Sequence, residues 1–482
     1  MMKKILISLL VVITATVMSC KKLPLLNEDT KSATKVPSGT LFSNAMVNLV
    51  FQEVTPSVNQ NVFRAFSQYW TETTYTDESR YDVLNRKIPD YEFRTLYRDI
   101  LADLKEAKRI VSAETDVESS AAEKKNKNAI AEILSVYVFH RGVDVFGNIP
   151  YDKALDINNL APAYDDASGI YAKLFSRLDA AIADLNTTEK SWGGADLIYG
   201  GNVAKWKKFA YSLKLRMAIN VADVSSLDPT GKAASAVAGG VFTSAADGAM
   251  FSFLSTYQNP VYTNLVASGR LDWVAANTIV NAMNTLTDPR RPLYFDGNLK
   301  DGSGNVIYDG GVYGASNAYP KYTHVAPIVQ EDTREAFLID YTEVQFYLAE
   351  AAARGLIAGS PDTYYNEGIT SSILYWGGDA TDVTSYLANP LVAYATATGT
   401  YKEKIALQAW IAYYDRGFLG WTTWRRLDAP VFNPPSGMTN ADIPTRFTYP
   451  ISEQTLNKNN YTPAAAAIGG DKLTTKLFWD KY

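Results

Sequence analysis

A chain of 482 residues with 46 Lys and Arg against 51 Asp and Glu carries a net charge of −5; it holds no long basic run, which argues against a nucleic-acid binder. The single cysteine excludes an intrachain disulfide and a cysteine metal cluster. Tyr outnumbers Phe by 31 to 19, with 9 Trp in addition, and such rings suit half-exposed binding surfaces as well as interior packing.

The first nineteen residues place Lys3 and Lys4 before an apolar run from Ile5 to Val17, and then Met18 and Ser19 before Cys20. That order is a secretory signal, because the run is too short to span a bilayer and polar sequence follows. Val17-Met-Ser-Cys20 resembles a bacterial lipobox, which predicts cleavage before Cys20 and acylation of its sulfur and new amino group by palmitate-type chains. Each buried methylene contributes about 0.8 kcal/mol, so two or three chains hold a protein firmly at a membrane. Residues 20–36 then read as a lipidated tether, and residues 37–482 as a single domain.

Apolar residues three and four apart predict helices over Thr40 to Val54, Asn61 to Thr71, Tyr91 to Ile110, Lys125 to Phe146, Ile170 to Leu185 and Val203 to Val221. The third pairs with the fourth and the fifth with the sixth, in the manner of tetratricopeptide-type repeats. From about 239 to 339 the chain turns loop-rich, with a helix predicted only at Asp272 to Leu286 and an Asp-Gly hairpin at Leu299 to Tyr308. Helical spacing returns at Tyr341 to Leu356, Asp362 to Tyr375, Tyr401 to Tyr414 and Gly420 to Leu427. The expected fold is therefore mainly α, a tetratricopeptide-like scaffold of helical pairs (about 37–238 and 340–430) carrying a loop-rich insertion with short β-hairpins.

Catalysis has little footing in these residues. His140 falls inside a helix and His324 in a loop with no second histidine at ligand spacing, and the metalloprotease, phosphate-loop and nucleophile-elbow patterns do not occur. Asp296, Asp301 and Asn305 lack the acidic residue that closes a calcium loop and read as a turn. Neither a metal nor a cofactor is expected. A glycosidase pair would be set by separation in space, which sequence does not give.

Binding has more support. Trp70, Tyr75 and Tyr81 fall at a helix end and in the loop after it, among Glu72, Asp77, Glu78 and Arg80. Tyr257, Tyr262, Arg270, Trp273, Tyr313, Tyr319 and Tyr322 fall in the insertion. Exposed rings stack on a sugar face or pack a peptide side chain while neighbouring polar groups take hydroxyls or backbone. These ten residues are the expected ligand surface. Trp206, Phe209, Trp410, Trp421 and Trp424 lie on helical stripes and are expected in the core.

Several segments together resemble the SusD/RagB lipoproteins, in the SusD-like branch. They are the lipobox at Cys20, Asn27 to Pro37 leading into Leu41-Phe-Ser-Asn-Ala45, Phe66-Ser-Gln-Tyr-Trp70, Val143-Asp-Val-Phe-Gly-Asn-Ile-Pro-Tyr151, Asp288-Pro-Arg-Arg291, Glu343-Val-Gln-Phe-Tyr-Leu-Ala-Glu350, Trp421-Thr-Thr-Trp-Arg-Arg426 and Leu477-Phe-Trp-Asp480. The resemblance implies a nutrient-binding outer-membrane lipoprotein, not an enzyme, that holds an oligosaccharide or peptide at the cell surface and passes it to a SusC-like TonB-dependent transporter. Lys21 and Lys22 directly after the cysteine depart from an acidic export signal, which leaves a periplasm-facing anchor open. Two rival functions also stay open from sequence: a lipid-anchored helical glycoside hydrolase, and a helical-repeat adaptor without a small ligand.

Overall fold

The computed structural model describes residues 36–481, so the signal segment, Cys20 and nearly all of the tether lie outside the described residues. The scaffold begins with α1 (Ser38–Val54), then a helical run in which α2 (Ile88–Arg94) passes through a wide π-type stretch (Thr95–Leu101) into α3 (Ala102–Ala113). There follow α4 (Ala121–Phe146), α5 (Ala167–Asp184), α6 (Val203–Asn220) and α7 (Pro229–Gly239). Side-chain oxygens start the longest of these. Ser120, Asp166 and Asn202 accept from the backbone N–H three residues on, at 3.1, 2.9 and 3.1 Å, satisfying a donor the helix leaves unpaired.

Neighbours in sequence pack as neighbours in space: α1 and α4 on α3, α5 on α4, α7 on α6. The expected pairing of the fifth predicted helix with the sixth is thus secondary, since α5 lies chiefly on α4 and α6 chiefly on α7, a helix the small residues of 229–239 concealed. The later scaffold comprises α8 (Asn277–Leu286), α9 (Tyr341–Ala353), α10 (Pro361–Trp376), α11 (Ala380–Leu387), α12 (Tyr401–Ala412), α13 (Gly417–Leu427), α14 (Ile451–Leu456) and α15 (Lys458–Ala467). Here α9 packs on α10, α12 and α6, and α12 on α13. Residues from Ser38 onward form one compact unit.

The second half of α4 is buried on every face, so its polar side chains must find partners inside. Arg141 is held by Glu53 and Glu92, each at 2.7 Å. Asp144 accepts from Tyr171 (2.6 Å), Trp479 (2.9 Å) and Asn220 (2.8 Å). The last carbonyls of α4 are taken by buried arginines: Arg425 donates to Asp144 O at 2.7 Å, and Arg446 to Phe146 O at 2.9 Å. Trp206, Phe209, Trp410 and Trp421 are fully buried, as their helical stripes predict, and the half-buried Trp424 stacks on Phe432.

The strands are short: β1 (Trp70–Glu72), β2 (Ile149–Pro150), β3 (Tyr164–Asp165), β4 (Met250–Phe251), β5 (Trp273–Ala275), β6 (Leu299–Lys300), β7 (Val306–Ile307) and β8 (Ala336–Phe337). They form four antiparallel pairs, β1–β5, β2–β3, β4–β8 and β6–β7. The β6–β7 pair is the predicted hairpin, and Asp301 spends its carboxylate on the turn, accepting from Ser303 N at 2.8 Å and Asn305 N at 2.9 Å. Two predicted helices are corrected. Asn61 to Thr71 is a single turn (Phe63–Phe66) and then β1, because Gln68 takes a left-handed φ of 54° that ends the helix. Asp272 to Leu286 is β5 followed by α8, because Trp273 to Ala275 pairs with β1 in the register Trp70↔Ala275, Thr71↔Val274, Glu72↔Trp273.

Candidate functional site

The β1–β5 pair leads into one loop, residues 73–81, which is fastened to the insertion. Thr73 N–H donates to Asp272 O (2.9 Å) and its hydroxyl to Leu271 O (2.6 Å), while Ser316 and Asn317 donate to Thr73 O at 2.9 and 3.1 Å. Segment 310–317 lies so close over β1 that a Cβ on Gly311 would stand 2.9 Å from Thr71 Cγ2 and 2.7 Å from Val274 Cγ2; only glycine allows that approach.

At the tip, Tyr75 has a left-handed φ of 56° and is 71% exposed. A bulky residue held in that conformation is uncommon, and here the strain sits on the ring most open to solvent. Beside it Arg270 is ion-paired to Asp272, which holds the guanidinium above its ordinary value, and the Tyr75 hydroxyl adds to that effect. A ring face, a guanidinium and a carboxylate thus converge on one open surface, flanked by exposed Leu271 and Ser316. That set offers stacking together with donors and acceptors for a polar, flat-faced ligand.

The loop closes on two acids at its foot. Glu72 accepts from Ser79 N at 3.0 Å, and Glu78 is ion-paired with Arg86. Burial, then the hydrogen bond with Glu78, pushes the Glu72 carboxyl up to about 9, and burial raises Glu78 as well. The folded loop therefore keeps a proton that an unfolded chain releases above the ordinary carboxylate range. Its contribution to stability is full at low pH and is lost as pH rises toward about 9. Melting temperatures between about pH 6 and about pH 10 are expected to fall in the parent and to flatten in Glu72→Gln; equal slopes would refute the shared proton.

The ten expected ligand residues do not form one surface. Tyr75 and Arg270 come together. Trp70 is fully buried, with Nε1 donating to Tyr414 Oη at 3.0 Å and the Arg64 guanidinium 5.0 Å over its ring; Trp273 lies against it at 6.1 Å and is also buried. Tyr313 and Tyr81 are buried against each other at 6.1 Å, with Tyr313 Oη donating to Ala65 O at 2.8 Å. These four are corrected from ligand surface to core: the β1–β5 pair holds Trp70 and Trp273 inside, and Tyr81 and Tyr313 pack on each other and on the turn Phe63–Phe66.

Tyr257 packs on Phe51 of α1 at 5.1 Å and stacks on Phe253, apart from the Tyr75 group, and burial pushes its hydroxyl up to about 12. Tyr262 is half-buried on the short helix Pro260–Tyr262, which packs toward α1. Tyr319 gives its ring face to His324, 3.8 Å away, and Tyr322 is half-buried with its carbonyl accepting from Asn298. Asp272 and Ser316 went unread as site residues: Asp272 looked like a helix start, and nothing local marks Ser316.

His140 is buried, and burial pulls it down to about 4 beside Asp144, so it is a neutral interior group. Among the described residues no group of three or more His, Cys, Asp or Glu could hold a metal ion, and no helix is long and apolar enough to cross a membrane.

A family model described as "Starch-binding associating with outer membrane" matches residues 29–450. The chain belongs to the SusD-like family. Solved structures agree on the fold. A chitin-binding protein superposes with a TM-score of 0.80 at 24% identity, over 92% of this chain and all of its own. A chitin-binding SusD homolog from Flavobacterium johnsoniae gives 0.77 at 23% identity, over 91% of this chain and 98% of its own. A SusD homolog from Bacteroides uniformis gives 0.73 at 27% identity, over 92% and 99%. No curated protein matches. SusD-like proteins are binding proteins rather than enzymes and associate with the outer membrane.

Proposed function

We propose that this SusD-like chain captures an oligosaccharide at the cell surface, on the Tyr75–Arg270–Asp272 face, and passes it to a SusC-like TonB-dependent transporter. The observation that carries the reading is the exposed Tyr75 ring, held in a strained backbone next to an ion pair on a loop anchored to a rigid scaffold. Two relatives of the same fold are described as chitin-binding, which supports a sugar over a peptide. A ring that stacks on a pyranose contributes on the order of 1 kcal/mol, so Tyr75→Ala is expected to weaken binding of chito- or malto-oligosaccharides about fivefold by calorimetric titration. Because Tyr75 is exposed, its melting temperature should hardly move. Unchanged affinity for every oligosaccharide the parent binds would remove this surface from the site.

The anchor belongs to the same reading. Cys20 acylated by palmitate-type chains would tether the domain to the outer membrane, facing outward. The parent is expected to partition into the detergent-rich phase of a cloud-point extraction and Cys20→Ala into the aqueous phase; identical partitioning would sink the anchor.

A further inference from the structure

Given the Cys20 anchor proposed above, we infer that one edge of the domain, the loop 152–162 with the end of α14, rests on the lipid bilayer that holds the acyl chains, and that Ile157, Leu160 and Leu456 enter its surface. No residue of the Tyr75 face takes part.

The loop is folded with its polar groups spent on backbone. Asn159 Nδ2 donates to Lys153 O at 3.3 Å, and Asp156 Oδ1 accepts from Asn158 N at 3.0 Å. Neighbouring elements pin its two ends. Lys105 Nζ of α3 donates to Leu155 O at 2.5 Å, while Asn457 and Asn460 donate to the carbonyls of Pro162 and Ala161 at 2.9 and 3.0 Å. Leu155 takes a left-handed φ of 61° and packs half-buried against the core. A backbone held this way leaves Ile157, Leu160 and Leu456 86, 88 and 84% exposed. One bare aliphatic side chain is ordinary on a protein surface. Three on one hydrogen-bonded unit, each almost wholly in water, call for an apolar partner.

The place of the tether says which partner. Ser38, the first residue of α1, donates through its hydroxyl to Glu114 Oε1 at 3.0 Å, just past the end of α3. Lys105, which holds the loop, is nine positions back along the same helix, about 14 Å at 1.5 Å per residue. The sixteen residues from Cys20 to Lys35 span at most about 55 Å. A bilayer that carries the acyl chains is therefore within reach of the loop. Among the described large hydrophobic side chains only Val117 is more exposed, and it stands three residues past Glu114, beside the root of the tether.

The chemistry of the crest fits lipid better than protein. Protein interfaces are anchored by Trp, Tyr and Arg set into packed pockets, and this crest carries no ring. Side chains this bare do not cover one another, so they offer a folded partner little complementary shape; fluid hydrocarbon closes round each of them separately. Asp152, Lys153, Asn158 and Lys458 are exposed beside them with both signs of charge, which suits a zwitterionic headgroup layer.

The acylated full chain in vesicles of phosphatidylethanolamine and phosphatidylcholine tests this contact, with a nitrobenzoxadiazole label on Leu160→Cys and brominated acyl chains as quencher. Acylation blocks Cys20, and Leu374→Cys on α10, also exposed, is the comparison. The Leu160→Cys label is expected to shift to the blue and to be quenched at least about twice as strongly as the Leu374→Cys label. Adding Ile157→Asp and Leu456→Asp should bring it down to the comparison level while the chain still floats with the vesicles. Equal quenching at the two positions, or a Leu160→Cys label that stays in water on chains that float, would overturn the contact and leave the anchor standing. A blue shift without bromine quenching would mark a protein neighbour and overturn it as well. Chains that do not float would remove the anchor, and this contact with it.

Discussion

Replacing Trp70 by alanine is expected to lower the stability of the protein by about 3–5 kcal/mol, the usual cost of emptying a large buried aromatic site. The ring is fully enclosed, so no water enters freely and the cavity persists. Two further losses add to it. Tyr414 Oη loses the indole N–H that donates to it at 3.0 Å, and the Arg64 guanidinium loses the ring face beneath it. Burial already pulls Arg64 down to about 10, so it tolerates removal of a favourable neighbour poorly. Equilibrium urea unfolding should show the midpoint falling in Trp70→Ala and in Trp273→Ala, with Tyr75→Ala close to the parent. If Trp70→Ala instead kept its midpoint and lost only oligosaccharide affinity, the ring would be a ligand platform and the packing described here would be wrong. The contrast matters for function because Trp70 opens β1, and β1 leads directly into the loop that presents Tyr75.

This division between platform and prop is where the sequence stops being legible. Helical spacing located the scaffold to within a few residues, since α4, α6, α9 and α10 carry apolar residues three and four apart and begin at or near a capping or proline signal. It missed α7, whose Ala- and Gly-rich sequence carries a weak stripe, and it mistook β1 and β5 for helix, because three-residue strands are too short to show an alternation. The same shortness hid the direction of the aromatic side chains. Trp70, Tyr81, Trp273 and Tyr313 share with Tyr75 a composition typical of binding loops, and only contacts across some two hundred residues, the pairing of β1 with β5 and the packing of Tyr81 on Tyr313, put four rings inside and leave one outside.

The largest electrostatic effect is expected at Glu343, which lies at the start of α9 where the loop-rich insertion rejoins the scaffold. Its carboxylate is fully buried between two guanidiniums, Arg216 Nε at 2.6 Å and Arg416 at 3.2 Å, while Arg416 also reaches Asp340, the residue capping α9, at 2.9 Å. Burial works against the charge on Arg216, and the Glu343 carboxylate more than offsets it, holding the guanidinium well above its ordinary value. Arg216 in turn donates to Leu338 O at 2.7 Å, so the cluster ties the residue after the last strand of the insertion to α6. Glu343→Met leaves the buried Arg216 without its carboxylate partner, while Arg416 keeps Asp340 and Asp415, and is expected to lower stability by about 3–5 kcal/mol. Removing Arg216 as well, in Glu343→Met/Arg216→Met, takes away the uncompensated charge and leaves Arg416 paired with Asp340. The double variant should therefore recover most of the loss in urea unfolding rather than add to it. Simple addition of the two single losses would show that shape, not charge, makes this junction, and that the insertion is seated on the scaffold by packing alone.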